Sequence, residues 1–241
     1  MESRNAQYVH TDSVARIDNI LVAADTSFEE LDSIPPRDRL TFNNGFYVKC
    51  SALFVDLRDS SGLPDRYRRP TLAKIYRSYI SECVAVINGN VDCVEVSIHG
   101  DAVWGVFDTP KRAQVDGVFS TAAQLRSLIK ILNCRYRRFS IDPIAAGIGM
   151  SWGNALMIKA GHRGSTVNEV VWMGDVVNTA SKLSNSAAKG LNLPVMVSSV
   201  VHQNLNDHNK GLLHWNNAND CYHGDVVNVV MDGWHKENCA Y

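Results

Sequence analysis

Residues 92–107 read DCVEVSIHGDAVWGVF, two short runs of β-branched and apolar residues on either side of HGD. Two such runs joined by a tight turn that contains glycine predict a β-hairpin. Asp101 lies at the tip of this hairpin and has no basic neighbour in the sequence. A carboxylate at the end of an apolar strand needs a compensating partner, and this stretch does not supply one.

The chain on either side of the hairpin predicts the rest of a sheet. In chain order, we predict a strand (46–57), a helix (68–89), the hairpin (92–107), a second helix (about 114–132) and a pair of strands (143–152 and 155–161). The last two strands are predicted to join around Gly153 and Asn154. This is the βαββαβ order, so we predict an α+β, ferredoxin-like antiparallel sheet with helices on one face.

The remaining chain predicts further elements and a simple division into domains. Residues 174–190 indicate a helix that begins after Gly174, followed by a strand, a short helix and two more strands. The N-terminal part predicts a helix that ends before a Pro-Pro pair. The predicted division is an N-terminal helical arm over 1–45, one domain over 46–235 and a tail over 236–241.

The composition argues against several classes of protein. The 241 residues are 45% hydrophobic and 20% charged, which favours a full core over global disorder. The net charge of −1 lacks the basic excess of a nucleic-acid-binding protein. No run approaches the roughly 18 apolar residues of a membrane helix, and the N-terminus lacks the apolar stretch of a signal peptide. We therefore predict a cytoplasmic protein with no nucleic-acid or membrane partner.

The cysteine and histidine patterns indicate no structural metal. The six cysteines, at 50, 83, 93, 134, 221 and 239, form no CxxC motif, and the histidines form no HExxH. In a cytoplasmic protein we expect these thiols to be reduced.

Two carboxylates are predicted to meet at one edge of the sheet. Asp56 ends the first strand and Asp101 lies at the tip of the neighbouring hairpin. Side-by-side carboxylates repel each other unless a divalent cation lies between them, and such a pair can hold two ions for attack at phosphorus. A turn role is the alternative for Asp101. The loop at 58–62, RDSSG, could bind a polyphosphate through backbone N–H groups, although an ordinary turn explains it equally well.

Four segments resemble, in order and spacing, the class III nucleotidyl cyclase catalytic domain. They read FVDLRDSS, GDAVWGVF, GIGMSWGNALMIKAG and WMGDVVNTASKL, and the resemblance covers about residues 46–200. It implies a ferredoxin-like domain that works as a head-to-tail homodimer with shared active sites. It implies two Mn²⁺ or Mg²⁺ ions per site, bound by Asp56 and Asp101 with the carbonyl of Leu57 as a further ligand. The implied substrate is a nucleoside triphosphate whose 3′-hydroxyl attacks its own α-phosphate and expels pyrophosphate.

The resemblance also assigns residues near the ribose and the reacting phosphate. Asn178 matches the asparagine that orients the ribose. Lys182 stands where the family has an arginine that stabilises the pentavalent phosphorus, and lysine keeps the charge but loses the bidentate fork. Arg163 is an alternative source of that arginine. Asn178 and Lys182 are four residues apart, so on a helix they share a face.

Both base-reading positions of the purine cyclases differ in this chain. Ser97 replaces a lysine, and Val171 replaces an Asp or Thr. Because Asp56, Asp101 and Asn178 are all present, we interpret the change as a change of base rather than a loss of activity. The pattern resembles the pyrimidine cyclases of bacterial anti-phage (Pycsar) systems, which make cyclic UMP or cyclic CMP for a separate effector.

The sequence leaves several alternatives open. The Ser97 hydroxyl can donate or accept a hydrogen bond, so UTP is preferred to CTP on family grounds alone. Phe54 shares a strand face with Asp56 and could stack on the base or pack in the core. A catalytically silent, dimerising nucleotide sensor and a purine cyclase are the alternative functions. A palm-like polymerase would need a basic template groove, for which the length and charge leave little room.

Overall fold

The computed structural model describes residues 7–24, 27–163 and 168–239. Nine strands among these residues form one sheet. In chain order they are β1 (Phe28–Leu31), β2 (Gly45–Leu57), β3 (Cys93–His99), β4 (Ala102–Asp108), β5 (Ala146–Gly161), β6 (Asn168–Met173), β7 (Val195–Val197), β8 (His214–Asn216) and β9 (Cys221–Gly224). The sheet order is β3-β4-β2-β5-β7-β9-β8, with β1 paired to β2 and β6 paired to β5.

Eight α-helices occur in the same described ranges. They are α1 (His10–Leu21), α2 (Leu63–Arg66), α3 (Arg69–Asn88), α4 (Arg112–Arg137), α5 (Asp175–Ser186), α6 (Ser199–Asn204), α7 (Asp207–Lys210) and α8 (Val229–Asn238). Short 3₁₀ segments cover Arg37–Arg39 and Ser60–Gly62. Within the described chain, no helix combines the length and the apolar character needed to cross a membrane.

The predicted βαββαβ unit is present as β2-α3-β3-β4-α4-β5, and the α+β fold class is confirmed. Helices α3 and α4 cover one face of the sheet, as predicted for the helices of this unit. Their apolar sides form the main core with alternate residues of β2, such as Leu53 and Val55, and with Ile148 and Met150 of β5. The spacing of two residues along each strand places all four side chains on that face.

The hairpin of β3 and β4 is confirmed, with Gly100 and Asp101 as its two turn residues. His99 pairs with Ala102 across the turn. Gly100 has φ +64°, a left-handed conformation that glycine adopts without steric cost. Asp56 also pairs with Ala102, so the end of β2 lies beside the hairpin tip.

Helix α5 packs on the opposite face of the sheet from α3 and α4. Its approach requires glycine on β5: a Cβ on Gly149 would lie 2.2 Å from the Ala180 carbonyl oxygen, and one on Gly147 would lie 2.2 Å from that of Ser184. These glycines alternate with Ile148, which faces the main core. The motif GIGM therefore presents a bare backbone to α5 and apolar side chains to the other face.

The prediction of two strands joined at Gly153 and Asn154 is wrong. Residues 146–161 form a single strand, β5, that pairs with β2 from Leu57↔Ala146 to Gly45↔Ile158. No turn is needed because β2 is long enough to pair with both halves. On its other edge, the second half of β5 also pairs with β6, a strand that was not predicted from the sequence.

The predicted N-terminal arm contributes to the sheet. Helix α1 is present and has no buried residue. Beyond it, β1 pairs in parallel with the first residues of β2, from Phe28↔Gly45 to Leu31↔Val48. The domain division at residue 45 stays a prediction, but the sheet itself begins before that point.

The C-terminal region is more ordered than the predicted tail. Helix α8 contacts α4, and a disulfide joins Cys134 of α4 to Cys239 just after α8. The expectation that all six cysteines are reduced thiols is therefore wrong for Cys134 and Cys239. These two residues lie close together only because α8 packs against α4, and the sequence did not indicate that packing. Residues 240 and 241 of the predicted tail lie outside the described chain.

The contact between α8 and α4 also contains a buried carboxylate. Asp232 accepts hydrogen bonds from the ammonium groups of Lys130 and Lys236. The hydrogen bond from Lys130 has the largest effect and that from Lys236 the next largest, and together they lower the pKa of Asp232 to about 2. A carboxyl group whose pKa is lower in the folded chain than in the unfolded chain stabilises the fold at pH values above its pKa in the unfolded chain. This stabilisation is lost as the pH falls through the pKa of the group in the folded chain.

We expect Asp232→Asn to lower the free energy of unfolding by about 1–3 kcal/mol at pH 7. The difference from the parent protein should persist down to about pH 4–5 and shrink as pH falls towards 2, because the parent carboxyl then loses its charge. Urea unfolding across this pH range measures it, with the exposed Glu237→Gln as the control. A difference that does not change with pH would contradict an ionic origin.

Candidate active site

Asp56 and Asp101 line one cavity, as the sequence predicts. Asp56 is the penultimate residue of β2 and Asp101 is in the β3–β4 turn. The full lining is Asp56, Leu57, Arg58, Asp59, Ser60, Ser61, Asp101 and Lys189. The Leu57 side chain is in the main core, so only the backbone of Leu57 can face the cavity. The loop at 58–62 lies here too, and its role in binding a polyphosphate stays a prediction.

The two carboxylates act on each other electrostatically. The pKa of Asp56 is raised above its ordinary value, mainly by burial and also by the negative charge of Asp101. The positive charges of Arg58 and Lys189 oppose that rise. A divalent cation bound between two partly buried carboxylates would remove their mutual repulsion, so this environment favours cation binding.

Arg58 is a site residue that the sequence analysis missed. Its guanidinium group forms an ion pair with the Asp56 carboxylate and donates to the Asp56 carbonyl oxygen at 3.0 Å and to that of Asn185 at 2.6 Å. The Arg58 side chain is only 5% exposed. Asp101, by contrast, has no ion pair with any described residue. The signal was in the sequence, because Arg58 follows Asp56 at a spacing of two.

The donors of this cavity fit Mg²⁺ or Mn²⁺. Both ions prefer oxygen ligands, which the two carboxylates and the Leu57 carbonyl provide. Among the described residues, no group of three or more His, Cys, Asp or Glu converges on one point. Within the described part of one chain, the oxygen ligands offered to a cation in this cavity are therefore few.

Asn178 and Lys182 do not line the cavity around Asp56. Both side chains are exposed and lie one turn apart on α5, as predicted for residues of a helix. Helix α5 approaches the cavity only at its C-terminal end, where Asn185 contacts Arg58. Arg163, the alternative to Lys182, lines a groove with α1 residues. A single chain therefore brings neither cation to the carboxylates.

The predicted base-reading residues are separated in the structure. Ser97 lines a second cavity with Glu95 and Val170, among others. Val171 pairs with Ile158, whereas its neighbour Val170 pairs with Lys159 of the second cavity. Since adjacent strand residues face opposite sides, the Val171 side chain points away from Ser97.

Phe54 packs against another aromatic residue. Its ring stacks on that of Trp104, with centroids 4.8 Å apart and planes 6° apart. The Trp104 indole donates to Nδ1 of His99 at 3.0 Å. Trp104 pairs with both Phe54 and Ser97, so the three side chains form a row across the sheet on the face that carries α5. Stacking of Phe54 on a base stays a prediction.

Glu95 is a second residue that the sequence analysis missed. It lies two residues before Ser97 on β3 and is buried in the same cavity wall. Its Oε2 accepts a hydrogen bond from the Trp172 indole at 2.8 Å and forms an ion pair with Arg37 at 2.8 Å. The alternation of β3 could have indicated it, because residues at a spacing of two share a face.

Solved structures with the same architecture identify the fold. The adenylyl cyclase CyaB from P. aeruginosa has a TM-score of 0.61 at 18% identity, covering 71% of this chain and 85% of that one. The guanylyl cyclase Cya2 has a TM-score of 0.59 at 18% identity, covering 71% and 83%. A class III adenylyl cyclase-like ATP-binding protein from Pseudomonas aeruginosa has a TM-score of 0.62 at 15% identity, covering 96% and 49%. The chain therefore has the class III nucleotidyl cyclase fold.

Curated relatives identify the family. A uridylate cyclase of Treponema porcinum is 37% identical over 232 residues, covering 95% of this chain and 81% of the relative. A uridylate cyclase of Gulbenkiania mobilis is 36% identical over 258 residues, covering 99% and 100%. No family model matches the sequence. On the strength of these relatives, the chain belongs to the uridylate cyclase family.

Replacing either carboxylate should abolish binding of Mn²⁺, but with opposite effects on stability. Asp101→Asn removes a like charge from Asp56, so we expect unchanged or higher stability of the metal-free protein. Asp56→Asn leaves the buried Arg58 without its ion pair, so we expect a loss of about 1–3 kcal/mol.

Mn²⁺ electron paramagnetic resonance titration and urea unfolding measure the two effects. Asp18→Asn, on the exposed helix α1, is the matched control and should change neither. Unaltered Mn²⁺ binding in Asp56→Asn and in Asp101→Asn would show that these carboxylates do not form the metal site.

Proposed function

We propose that the chain is a uridylate cyclase, which converts UTP to 3′,5′-cyclic UMP and pyrophosphate. The observation that carries the proposal is 36–37% identity, over 95–99% of the chain, to proteins named uridylate cyclase. The pair of carboxylates at adjacent strand ends supports it, because that pair can act on a triphosphate through metal ions.

The reaction is an in-line displacement at the α-phosphorus of the substrate. The ribose 3′-oxygen forms a new bond to the α-phosphorus while the bond from that phosphorus to the oxygen of the leaving pyrophosphate breaks. The hydroxyl proton is released to water. Asp56 and Asp101, with the Leu57 carbonyl, would hold two Mn²⁺ or Mg²⁺ ions, which when bound offset the charge of the triphosphate and favour loss of the hydroxyl proton. Arg58 fixes the Asp56 carboxylate through its ion pair and ties it to the end of α5.

The site requires a second copy of the chain. Asn178 and Lys182 are exposed on α5 and do not line the cavity of Asp56 in the same chain. A head-to-tail homodimer would bring them to the carboxylates of the partner, where Asn178 would orient the ribose. Lys182 would place a single ammonium charge near the reacting phosphate, without the two-pronged geometry of an arginine.

The pyrimidine substrate is supported by Ser97 in the second cavity. The short hydroxyl stands where purine cyclases have the long cation that reads their base. The Val171 side chain points away from this cavity, so a base bound beside Ser97 would not contact it. By resemblance to the Pycsar cyclases, we propose that the cyclic nucleotide is a messenger for a separate effector in anti-phage defence.

With the four triphosphates and Mn²⁺, we expect a clear preference for UTP over ATP and GTP, measured as the ratio of kcat/KM. A site that forms hydrogen bonds to polar groups of its substrate typically has a kcat/KM about 10⁴-fold lower for an analogue that lacks those groups. A site that discriminates by shape alone lowers kcat/KM by about 10–200-fold. Pyrophosphate release and the identity of the cyclic product measure it, with Asp101→Ala as the inactive control. A UTP-to-ATP ratio of one or less would point to a purine cyclase, and no turnover of any triphosphate to a silent sensor.

The shared site predicts complementation between inactive variants. Asp101→Ala and Asn178→Ala should each be inactive, whereas an equal mixture should regain activity, because mixed dimers hold one intact site and one with both lesions. The control is a tagged pull-down that demonstrates subunit exchange. Exchange without recovered activity would contradict the shared site.

A further inference from the structure

Glu95 lines a cavity with a carboxylate of which one oxygen has no hydrogen-bond donor among the described residues. Its side chain is 6% exposed. Both of its contacts, with the Trp172 indole and the Arg37 guanidinium, are made to Oε2. No described residue donates a hydrogen bond to Oε1, and the only fully buried polar side-chain atom without a partner among the described residues is the Tyr79 hydroxyl. Oε1 of Glu95 therefore keeps access to solvent. Glu95 lines two cavities, one with Trp172 and one with Ser97.

Arg37 is held beside Glu95 by anchors on both sides. The backbone N–H of Ile34 donates to Oδ1 of Asp108 at 2.9 Å, and Leu40 is buried in the apolar cluster on the α5 face of the sheet. The Arg37 side chain itself is 58% exposed, so it keeps N–H donors that Glu95 does not use. The N-terminal segment thus places a donor next to the free acceptor of Glu95, and Ser97 lines the same cavity.

A purely structural role would not require a charged group at this position. Trp172 needs only an acceptor, which a glutamine provides at a lower desolvation cost. A buried ion pair contributes little net stability, whereas it fixes the direction of its donors and acceptors. The cavity wall therefore carries an obligate acceptor, and a carboxylate cannot reverse its role as an amide can.

We propose that Glu95 selects uracil over cytosine by accepting the N3–H of the base at Oε1. This inference rests on the proposed pyrimidine cyclase function. Uracil carries a hydrogen on N3 between two carbonyl groups, and the Arg37 guanidinium and the Ser97 hydroxyl are donors suited to those carbonyls. Cytosine has a lone pair on N3, which would face the lone pairs of the carboxylate. Guanine also carries a ring N–H, so rejection of GTP must depend on the size of the cavity rather than on Glu95.

The test is the ratio of kcat/KM for UTP to that for CTP in Glu95→Gln. A glutamine can rotate to offer either its oxygen to uracil or its NH₂ to cytosine. We expect UTP turnover to fall, CTP turnover to rise, and the ratio to drop at least about tenfold. Glu82→Gln, exposed on α3, should leave the ratio unchanged. A parent enzyme that prefers UTP, with an unchanged ratio in Glu95→Gln, would overturn this inference and leave the proposed function intact.

A second measurement uses only the parent protein and does not depend on how the variant folds. N3-methyl-UTP lacks the N3–H, so we expect its affinity, measured by calorimetry, to be at least about 100-fold below that of UTP. Equal affinity for the two nucleotides would overturn the role of Glu95. Failure to bind UTP at all would instead overturn the proposed function.

Discussion

The pairing of β2 with β5 over the whole length of β2 is the constraint on which the other features depend. It runs from Gly45↔Ile158 to Leu57↔Ala146 and fixes the register of the central sheet. In that register the odd residues of β2 from Leu53 onward join the core under α3 and α4, while its even residues face α5. The same register sets Gly147 and Gly149 beneath α5, which can approach because neither has a side chain. The end of β2, with Asp56, is thereby fixed between the hairpin tip and the end of α5.

Charges buried near the sheet are compensated by arginines that bring distant segments together. Arg58 joins Asp56 to the carbonyl of Asn185 at the end of α5, and Arg37 joins the N-terminal segment to Glu95 of β3. Ion pairs of this kind add little net stability because desolvation offsets the attraction. They do fix the direction of the carboxylates. Asp101 is the exception, since none of the described cationic side chains forms an ion pair with it. The charged group that acts on it is the carboxylate of Asp56.

The two faces of the sheet differ in how completely they are covered. The face under α3 and α4 is closed by large apolar side chains such as Tyr79 and Phe119. The opposite face is covered only in part, by α5 and by the segment before β2, and it carries the row formed by Ser97, Trp104 and Phe54. Both proposals, the shared site and the selection of the base, concern this second face. A sheet with one closed and one partly open face can join a second copy without disturbing its core.

The sequence by itself determined the hairpin, the βαββαβ unit, the strand-end position of the two carboxylates and the helix face shared by Asn178 and Lys182, because these depend on local periodicity and turn chemistry. It failed for β5, read as two strands, since Gly153 and Asn154 resemble a turn unless a long partner strand is present. It also missed the roles of Arg58 and Glu95 and the bond between Cys134 and Cys239. Only the tertiary structure decided the contacts of Glu95 with Arg37, of Cys134 with Cys239 and of Arg58 with Asn185, because each partner is brought close by the docking of a separate segment. No local pattern encodes such a distance.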